Sequence, residues 1–349
     1  MKEKMLAIMK EEPKEGAITT EAGIPKIKPH EILVKVKATS ICGTDAHIYK
    51  WDKWSQNRIK PPLIFGHEFT GEVIELGKNV SSLSEVKEGD NVSAETHIAC
   101  GKCFQCKTGN AHICENVRIL GVDTQGCFAE YAAIPAANAW VNDSKIPLEI
   151  ASAQEPLGNA IHTALAVELI GNTILIMGCG PIGLCSIQVA KAAGAAKVIA
   201  VDIVPYRLEL AKKMKADYAL NSKEVDVVKE VKEITEGKGA DVFLEMSGSQ
   251  EAIAQGFKAL RPGGEVSILG IPSKEIELDM SSAIVFKAAK VHGINGRLMF
   301  NTWYKTASLL KNKLIDISPI ITHKIKLSEF EQGMQAMLSG NSGKVVMFP

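Results

Sequence analysis

Three side chains with chemical reach stand close together in the run Ser40-Ile41-Cys42-Gly43-Thr44-Asp45-Ala46-His47. A cysteine thiolate is a soft metal ligand, a threonine hydroxyl both donates and accepts, and an imidazole exchanges protons near neutral pH. The preceding residues Ile32, Val34, Val36 and Ala38 alternate with Leu33, Lys35 and Lys37, the period of a half-buried strand. Cys42 is therefore expected at the end of a rigid element. Thr44 is expected to cap a short helix, which would place it on one face with His47, three residues on.

A second group is denser. Cys100, Cys103, Cys106 and Cys114 follow a C-x₂-C-x₂-C-x₇-C spacing, with Gly101 and Gly109 allowing a tight loop. Four thiolates so spaced can surround one tetrahedral Zn²⁺, and a closed Cys₄ shell is the structural kind of site. An iron–sulfur cluster is the chemical rival, because C-x₂-C-x₂-C also begins a ferredoxin motif. That motif places its fourth cysteine after three residues and before a proline, whereas Cys114 precedes Glu115.

The third group is Gly178-Cys179-Gly180-Pro181-Ile182-Gly183. It follows an apolar strand pattern and opens a helical one, and Asp202 answers it about twenty residues later, as a dinucleotide fingerprint requires. Gly178 permits the tight turn, Gly180 close approach of a pyrophosphate, and Gly183 close packing of helix on strand. Asp202 is expected to accept the adenosine ribose hydroxyls and to repel a 2′-phosphate, favouring NAD over NADP. Arg207, close by in sequence, would tolerate such a phosphate. Leu269, Gly270, Ile271, Ile294 and Asn295, at the ends of later strands, are expected to complete the cofactor site together with Ile182.

Residues 1–157 read as short strands broken by Gly, Pro and charged turns, a β-rich domain. From 158 to 298 apolar strands interleave with helical patterns at residues 206–215, 224–235 and 251–260, which predicts a doubly wound parallel sheet and an α/β fold. Residues 299–349 lose that alternation and are expected to return to the first domain, with a helix over 329–337 and a strand over 343–347.

Composition narrows the function. Forty Lys and Arg balance forty Asp and Glu, so the formal net charge is zero. That gives no electrostatic footprint for nucleic acid or an anionic membrane, and it opposes reading the cysteines as a zinc-finger regulator. The opening Met1-Lys2-Glu3-Lys4-Met5-Leu6 has no apolar run of signal-peptide length, and the longest apolar runs are strand-sized. A soluble cytoplasmic protein is expected, and clustered thiols there favour metal over disulfides.

Taken together, these motifs resemble the zinc-dependent medium-chain alcohol dehydrogenase superfamily over the whole chain, in the order CGTDAH, Gly66-His67-Glu68, cysteine lobe and GCGPIG. Trp51-Asp52-Lys53-Trp54, Glu95-Thr96-His97, Gln154-Glu155-Pro156-Leu157-Gly158-Asn159 and Thr302-Trp303-Tyr304 resemble its threonine branch. The resemblance implies a GroES-like catalytic domain, a structural-zinc lobe over 97–116 and a Rossmann NAD domain. It implies a catalytic zinc on Cys42, His67 and Glu68, with Glu155 nearby as an occasional ligand or proton carrier. A thiolate, an imidazole and a carboxylate leave an open coordination position, which suits the assignment.

The implied chemistry is oxidation of the 3-hydroxyl of L-threonine to 2-amino-3-oxobutanoate, a step of threonine catabolism. Thr44 would pass the proton through the cofactor ribose to His47. His97 and Arg297 are candidate contacts for the substrate carboxylate, and Glu155 or Glu68 for its ammonium. Family members commonly form homotetramers. A polyol or 2,3-butanediol dehydrogenase of the same superfamily is the nearest alternative, and a non-catalytic dinucleotide-binding protein a remote one.

Overall fold

The computed structural model describes residues 3–82 and 84–349. Met1 and Lys2, which open the run read above for a targeting signal, lie outside the described residues. Two compact units emerge, one comprising the chain up to Glu155, Leu298–Ala307 and Ile321–Pro349, the other Pro156–Arg297 and Ser308–Ile320. The contacts thus put residues 308–320 with the second unit, whereas the sequence reading gave all of 299–349 to the first.

In the first unit the main sheet is built on the long strand Glu31–Ser40. It pairs antiparallel with Glu68–Leu76 on one side and with the C-terminal strand Lys344–Phe348 on the other. That terminal strand pairs in parallel with Ile321–Lys326, so the end of the chain is part of this main sheet. The inward side chains Ile32, Val34 and Val36 are buried, as their alternation predicted. Phe65, Phe128 and Phe330 close the core, with ring centroids 5.1 to 5.8 Å apart. Phe330 opens the helix Phe330–Leu338 and packs the tail onto this core.

The second unit holds six parallel strands whose order across the sheet is third, second, first, fourth, fifth, sixth. The central strand Thr173–Met177 is buried on both faces from Ile174 onward, which accounts for its unbroken apolar sequence. Reversal of strand order beside it opens a crevice at the carboxyl ends of the strands, where open α/β sheets take ligands. The expected α/β class, a β-rich domain with a doubly wound parallel sheet, is the fold observed. Among the described residues no helix is long and apolar enough to cross a membrane.

Phe330→Ala removes one of three interlocked rings, 2% exposed. It is expected to cost the first unit about 3–5 kcal/mol, read as an earlier thermal transition by calorimetry.

Candidate active site

Strand register builds the first site. Ser40 pairs with Glu68 across the two long strands, so Cys42, just beyond one strand end, comes beside His67, just before the start of the other. Ligand atoms of Cys42, His67 and Glu68 all lie within 4.8 Å of one another. Gly66 supplies the backbone turn that presents them, at φ +84°, and a Cβ there would run into the Phe128 ring.

Cys42 is the N-cap of the helix Gly43–Lys50. The expectation that Thr44 caps this helix is therefore corrected: Thr44 lies inside the first turn. Asp45 takes the local capping role by accepting the Cys42 N–H at 2.8 Å. Thr44 and His47 still share a helix face, and His47 is exposed.

Electrostatics at this cluster favours positive charge. Burial by itself would depress the His67 imidazole, but the Cys42 sulfur hydrogen-bonded to it, Asp45 and Glu155 outweigh that and hold it at about 10. Asp45, fully buried, is pushed up to about 6 by burial despite the opposing pull of His67. Its Oδ1 lies 3.8 Å from His67 Nδ1, close enough for electrostatic attraction but too far for a hydrogen bond.

Glu68 is already engaged. Lys344 Nζ donates to its two oxygens at 2.8 and 2.6 Å, and Ser40 Oγ donates to Oε2. Lys344 is itself 2% exposed and also donates to the Ile41 carbonyl at 3.1 Å. Burial would lower its ammonium, but Glu68 and Cys42 hold it above the usual lysine range. Lys344 is absent from the sequence reading, since nothing local marks a lysine in a C-terminal strand as a buried partner. Glu155, from the first turn of the helix Gln154–Ala164, lies outside the 4.8 Å cluster and accepts from Thr96 Oγ1 at 3.2 Å.

The cysteine lobe forms a compact shell. Cys103 Sγ stands 3.5 Å from Cys106 Sγ and 3.8 Å from Cys114 Sγ. A tetrahedron with metal–sulfur arms of ~2.3 Å has edges of ~3.8 Å, so the spacing suits one zinc ion. Backbone N–H groups of Lys102 and Cys103 lower the Cys100 thiol to about 6, while burial pushes Cys106 up to about 12. Among the described residues all eight cysteines are free of disulfides.

In the second unit Gly178 turns at φ +101° against Ser247, and a Cβ on Gly183 would strike the Gly178 carbonyl. A Cβ on Gly180 would meet only open space, the opening that the helix Pro181–Ala192 presents to a ligand. Asp202 ends the strand Lys197–Asp202; its Oδ2 accepts from Cys179 N at 2.7 Å, and its Oδ1 from Ile203 N and Val204 N at 2.8 and 2.9 Å. Arg207 Nη1 stands 4.0 Å from Asp202 Oδ2. Gly178, Gly180, Asp202 and Arg207 line a cavity of about 540 Å³.

Ile182, Leu269, Gly270, Ile271, Ile294 and Asn295 do not line that cavity. Leu269 and Gly270 instead donate their N–H groups to the Glu245 carbonyl. Glu245, fully buried, uses Oε1 to gather Ser247 N and Gly248 N at 2.8 and 2.9 Å, fixing the turn beside the cavity. The sequence reading missed it; a glutamate ending an apolar strand before Ser-Gly-Ser was the available signal.

Of the candidate substrate contacts, His97 is buried in the first unit and accepts at its carbonyl from Asn138 Nδ2 at 3.0 Å. Arg297, 1% exposed, belongs to the second unit and donates to Asn159 Oδ1 at 3.2 Å.

Comparison with known proteins agrees with this geometry. The family described as "Alcohol dehydrogenase GroES-like domain" matches residues 28–144, and "Zinc-binding dehydrogenase" matches 181–312. The chain belongs to the zinc-binding alcohol dehydrogenases. Within that family it is 53% identical to the L-threonine 3-dehydrogenase of Caldanaerobacter subterraneus over 99% of each chain, and 51% identical to that of Bacillus subtilis over the same share. Among solved structures, a zinc-binding dehydrogenase from Sinorhizobium meliloti bound to NADP superposes with TM-score 0.91 at 29% identity over 100% of each chain. The 2R,3R-butanediol dehydrogenase of Bacillus subtilis gives 0.88 at 28% over 99% of each.

Lys344→Met would leave Glu68 buried without its cation. It is expected to cost about 3–5 kcal/mol, while the Lys344→Met/Glu68→Gln pair costs less than Lys344→Met alone. Thermal denaturation of the three proteins checks this, and equal losses in single and double variants would refute the buried pair.

Proposed function

We propose that this chain oxidises L-threonine at its 3-hydroxyl with NAD, giving 2-amino-3-oxobutanoate, NADH and a proton. The observation that carries the reading is end-to-end identity of 51–53% with L-threonine 3-dehydrogenases from bacteria and archaea. Identity to the butanediol dehydrogenase is 28%, which ranks the diol reading second.

The residues present fit the groups this chemistry needs. Cys42, His67 and Glu68 are mixed donors in a buried pocket whose surplus of acidic groups draws a cation. They would hold the catalytic zinc, and Cys100, Cys103, Cys106 and Cys114 the structural one. The Gly180 opening and Asp202 suit a dinucleotide with a free 2′-hydroxyl, and Arg207 stands 4.0 Å from the same carboxylate. Ile182, Leu269, Gly270, Ile271, Ile294 and Asn295 would contact the remainder of NAD. When bound, zinc supplies Lewis acidity at the hydroxyl and NAD accepts the hydride.

The chain's own groups then manage charge and protons. Thr44 Oγ1 would accept the proton leaving the 3-hydroxyl as it gives up its own hydrogen towards His47, which would return a proton to water. Lys344 and Ser40 hold the Glu68 carboxylate in place, and Oε1, which accepts from Lys344 alone, keeps a lone pair that would serve a metal. Glu155, which accepts from Thr96 Oγ1, would respond to the substrate ammonium or carry a proton, and His97 of the first unit or Arg297 of the second would meet the substrate carboxylate.

A cytoplasmic homotetramer is part of the same reading. Lys290–Gly293 is an edge strand of the parallel sheet, and Met280, Val285 and Phe286 nearby in sequence are 58%, 66% and 81% exposed. An apolar, strand-edged surface of this kind favours pairing with a second copy.

With NAD, turnover of L-threonine is expected to exceed that of 2,3-butanediol and sorbitol by at least about a hundredfold in kcat/KM. Cys42→Ser should lower it by about a thousandfold or more and halve the bound zinc measured by mass spectrometry. Strong diol oxidation without threonine oxidation would replace the substrate assignment, and full turnover by Cys42→Ser would remove the metal role.

A further inference from the structure

His47 has a partner that the proposed proton path leaves unexplained. Its Nδ1 lies 2.5 Å from Asp52 Oδ2, five residues on. Trp51 sits between helix and partner in the left-handed region at φ 53°, and this turn brings Asp52 back against the last residues of the helix Gly43–Lys50. Asp52 is also the N-cap of the helix Lys53–Arg58, its Oδ1 accepting from Ser55 N at 3.0 Å. The two carboxylate oxygens therefore have separate tasks, one for the helix and one for the ring. Trp54 from that second helix meets the imidazole edge-on, with ring centroids 6.1 Å apart.

We propose that Asp52 is a positioning residue for proton exit, holding His47 as the tautomer whose Nε2 exchanges the proton. The inference rests on the reading of Thr44 and His47 as the proton path. A carboxylate only accepts, so the hydrogen of the neutral ring must sit on Nδ1 and the lone pair on Nε2. When Nε2 takes a proton, Asp52 faces the cation that forms, a charge-assisted hydrogen bond that also fixes the ring plane. Burial alone would raise the Asp52 carboxyl, but hydrogen bonds from His47 and Ser55 hold it below the usual range, so it is a carboxylate at neutral pH. His47 and Asp52 side chains are 54% and 36% exposed, so the proton leaves directly to water. The arrangement follows the same logic as a carboxylate orienting an imidazole in hydrolase triads, applied here to a surface exit.

Asn at this position separates structure from chemistry. Asn and Asp cap helices about equally well, so Asp52→Asn should leave the helix Lys53–Arg58 intact. An amide has one oxygen, however. If that oxygen stays on Ser55 N, the NH₂ faces His47 Nδ1 and favours the opposite tautomer.

The test compares the full-length, zinc-loaded wild type with Asp52→Asn, His47→Asn and the double variant. For Asp52→Asn, kcat with L-threonine is expected to fall about tenfold with KM within about twofold, and the thermal midpoint to stay in place. In single turnovers followed with a pH indicator, proton release should lag NADH formation in Asp52→Asn and not in the wild type. The double variant should be no slower than His47→Asn. Wild-type kcat and prompt proton release in Asp52→Asn, beside a slow His47→Asn, would remove the role of Asp52 alone. Equal slowing by Asp52→Asn with and without His47 would also overturn it. His47→Asn turning over at the wild-type rate would remove the proton path and this inference with it.

Discussion

Glu68 is the constraint on which the first site depends. A carboxylate with no exposed surface is costly unless its charge is matched and its oxygens are bonded. The match comes from Lys344, 276 residues away in sequence, and from Ser40 on the neighbouring strand. Three strands are thereby tied at one point: the end of Glu31–Ser40, the start of Glu68–Leu76 and the start of Lys344–Phe348. The same register that pairs Ser40 with Glu68 sets Cys42 beside His67. The tail of the chain is consequently part of the site's foundation, although it contributes no ligand of its own.

The two clusters suited to metal reach that end by different physics. The cysteine lobe is chemically uniform, and its sulfur spacing already approximates the edges of a metal tetrahedron. Its thiols are pulled in opposite directions, Cys100 down by backbone N–H groups and Cys106 up by burial. The site at Cys42 uses mixed donors in a pocket dominated by acids, where His67 is held at about 10 by its surroundings against the effect of burial. A closed uniform shell suits a fold staple. A mixed shell with an acidic surplus suits a cation that must keep a position open.

Local signals made a large part of this legible. The glycine fingerprint with Asp202, the cysteine spacing and the strand ending near Cys42 each depend on residues close in sequence, and each has its expected place in the fold. Alternation also located most elements of the parallel sheet. What escaped depends on distant contacts. Tyr218–Asn221 is a short, half-exposed strand without an apolar run, and Ile321–Lys326 earns its strand by pairing with the terminal strand. The helix Asn301–Lys311 is fastened by Trp303, whose Nε1 donates to the buried Glu95 at 2.9 Å, a partner 208 residues away. Thr44 looked like a cap because threonine favours that position, but strand register had already fixed Cys42 at the turn.

Asp202 and Glu245 show a shared design in the second unit. Each is an acid ending a parallel strand, and each holds backbone N–H groups of the loop beside the cavity before any ligand is considered. Asp202 clamps Cys179 within the glycine turn and also the first residues after its own strand, so the loop shape and the negative charge at the cavity come from one side chain. Such preorganisation lowers the ordering cost of binding. It also couples selectivity to structure: exchanging Asp202 for a neutral residue to admit a 2′-phosphate releases three N–H groups as well as one charge. Arg207 alone is therefore a poor lever for changing cofactor preference, because the phosphate would still meet a carboxylate that the glycine loop needs for its own conformation.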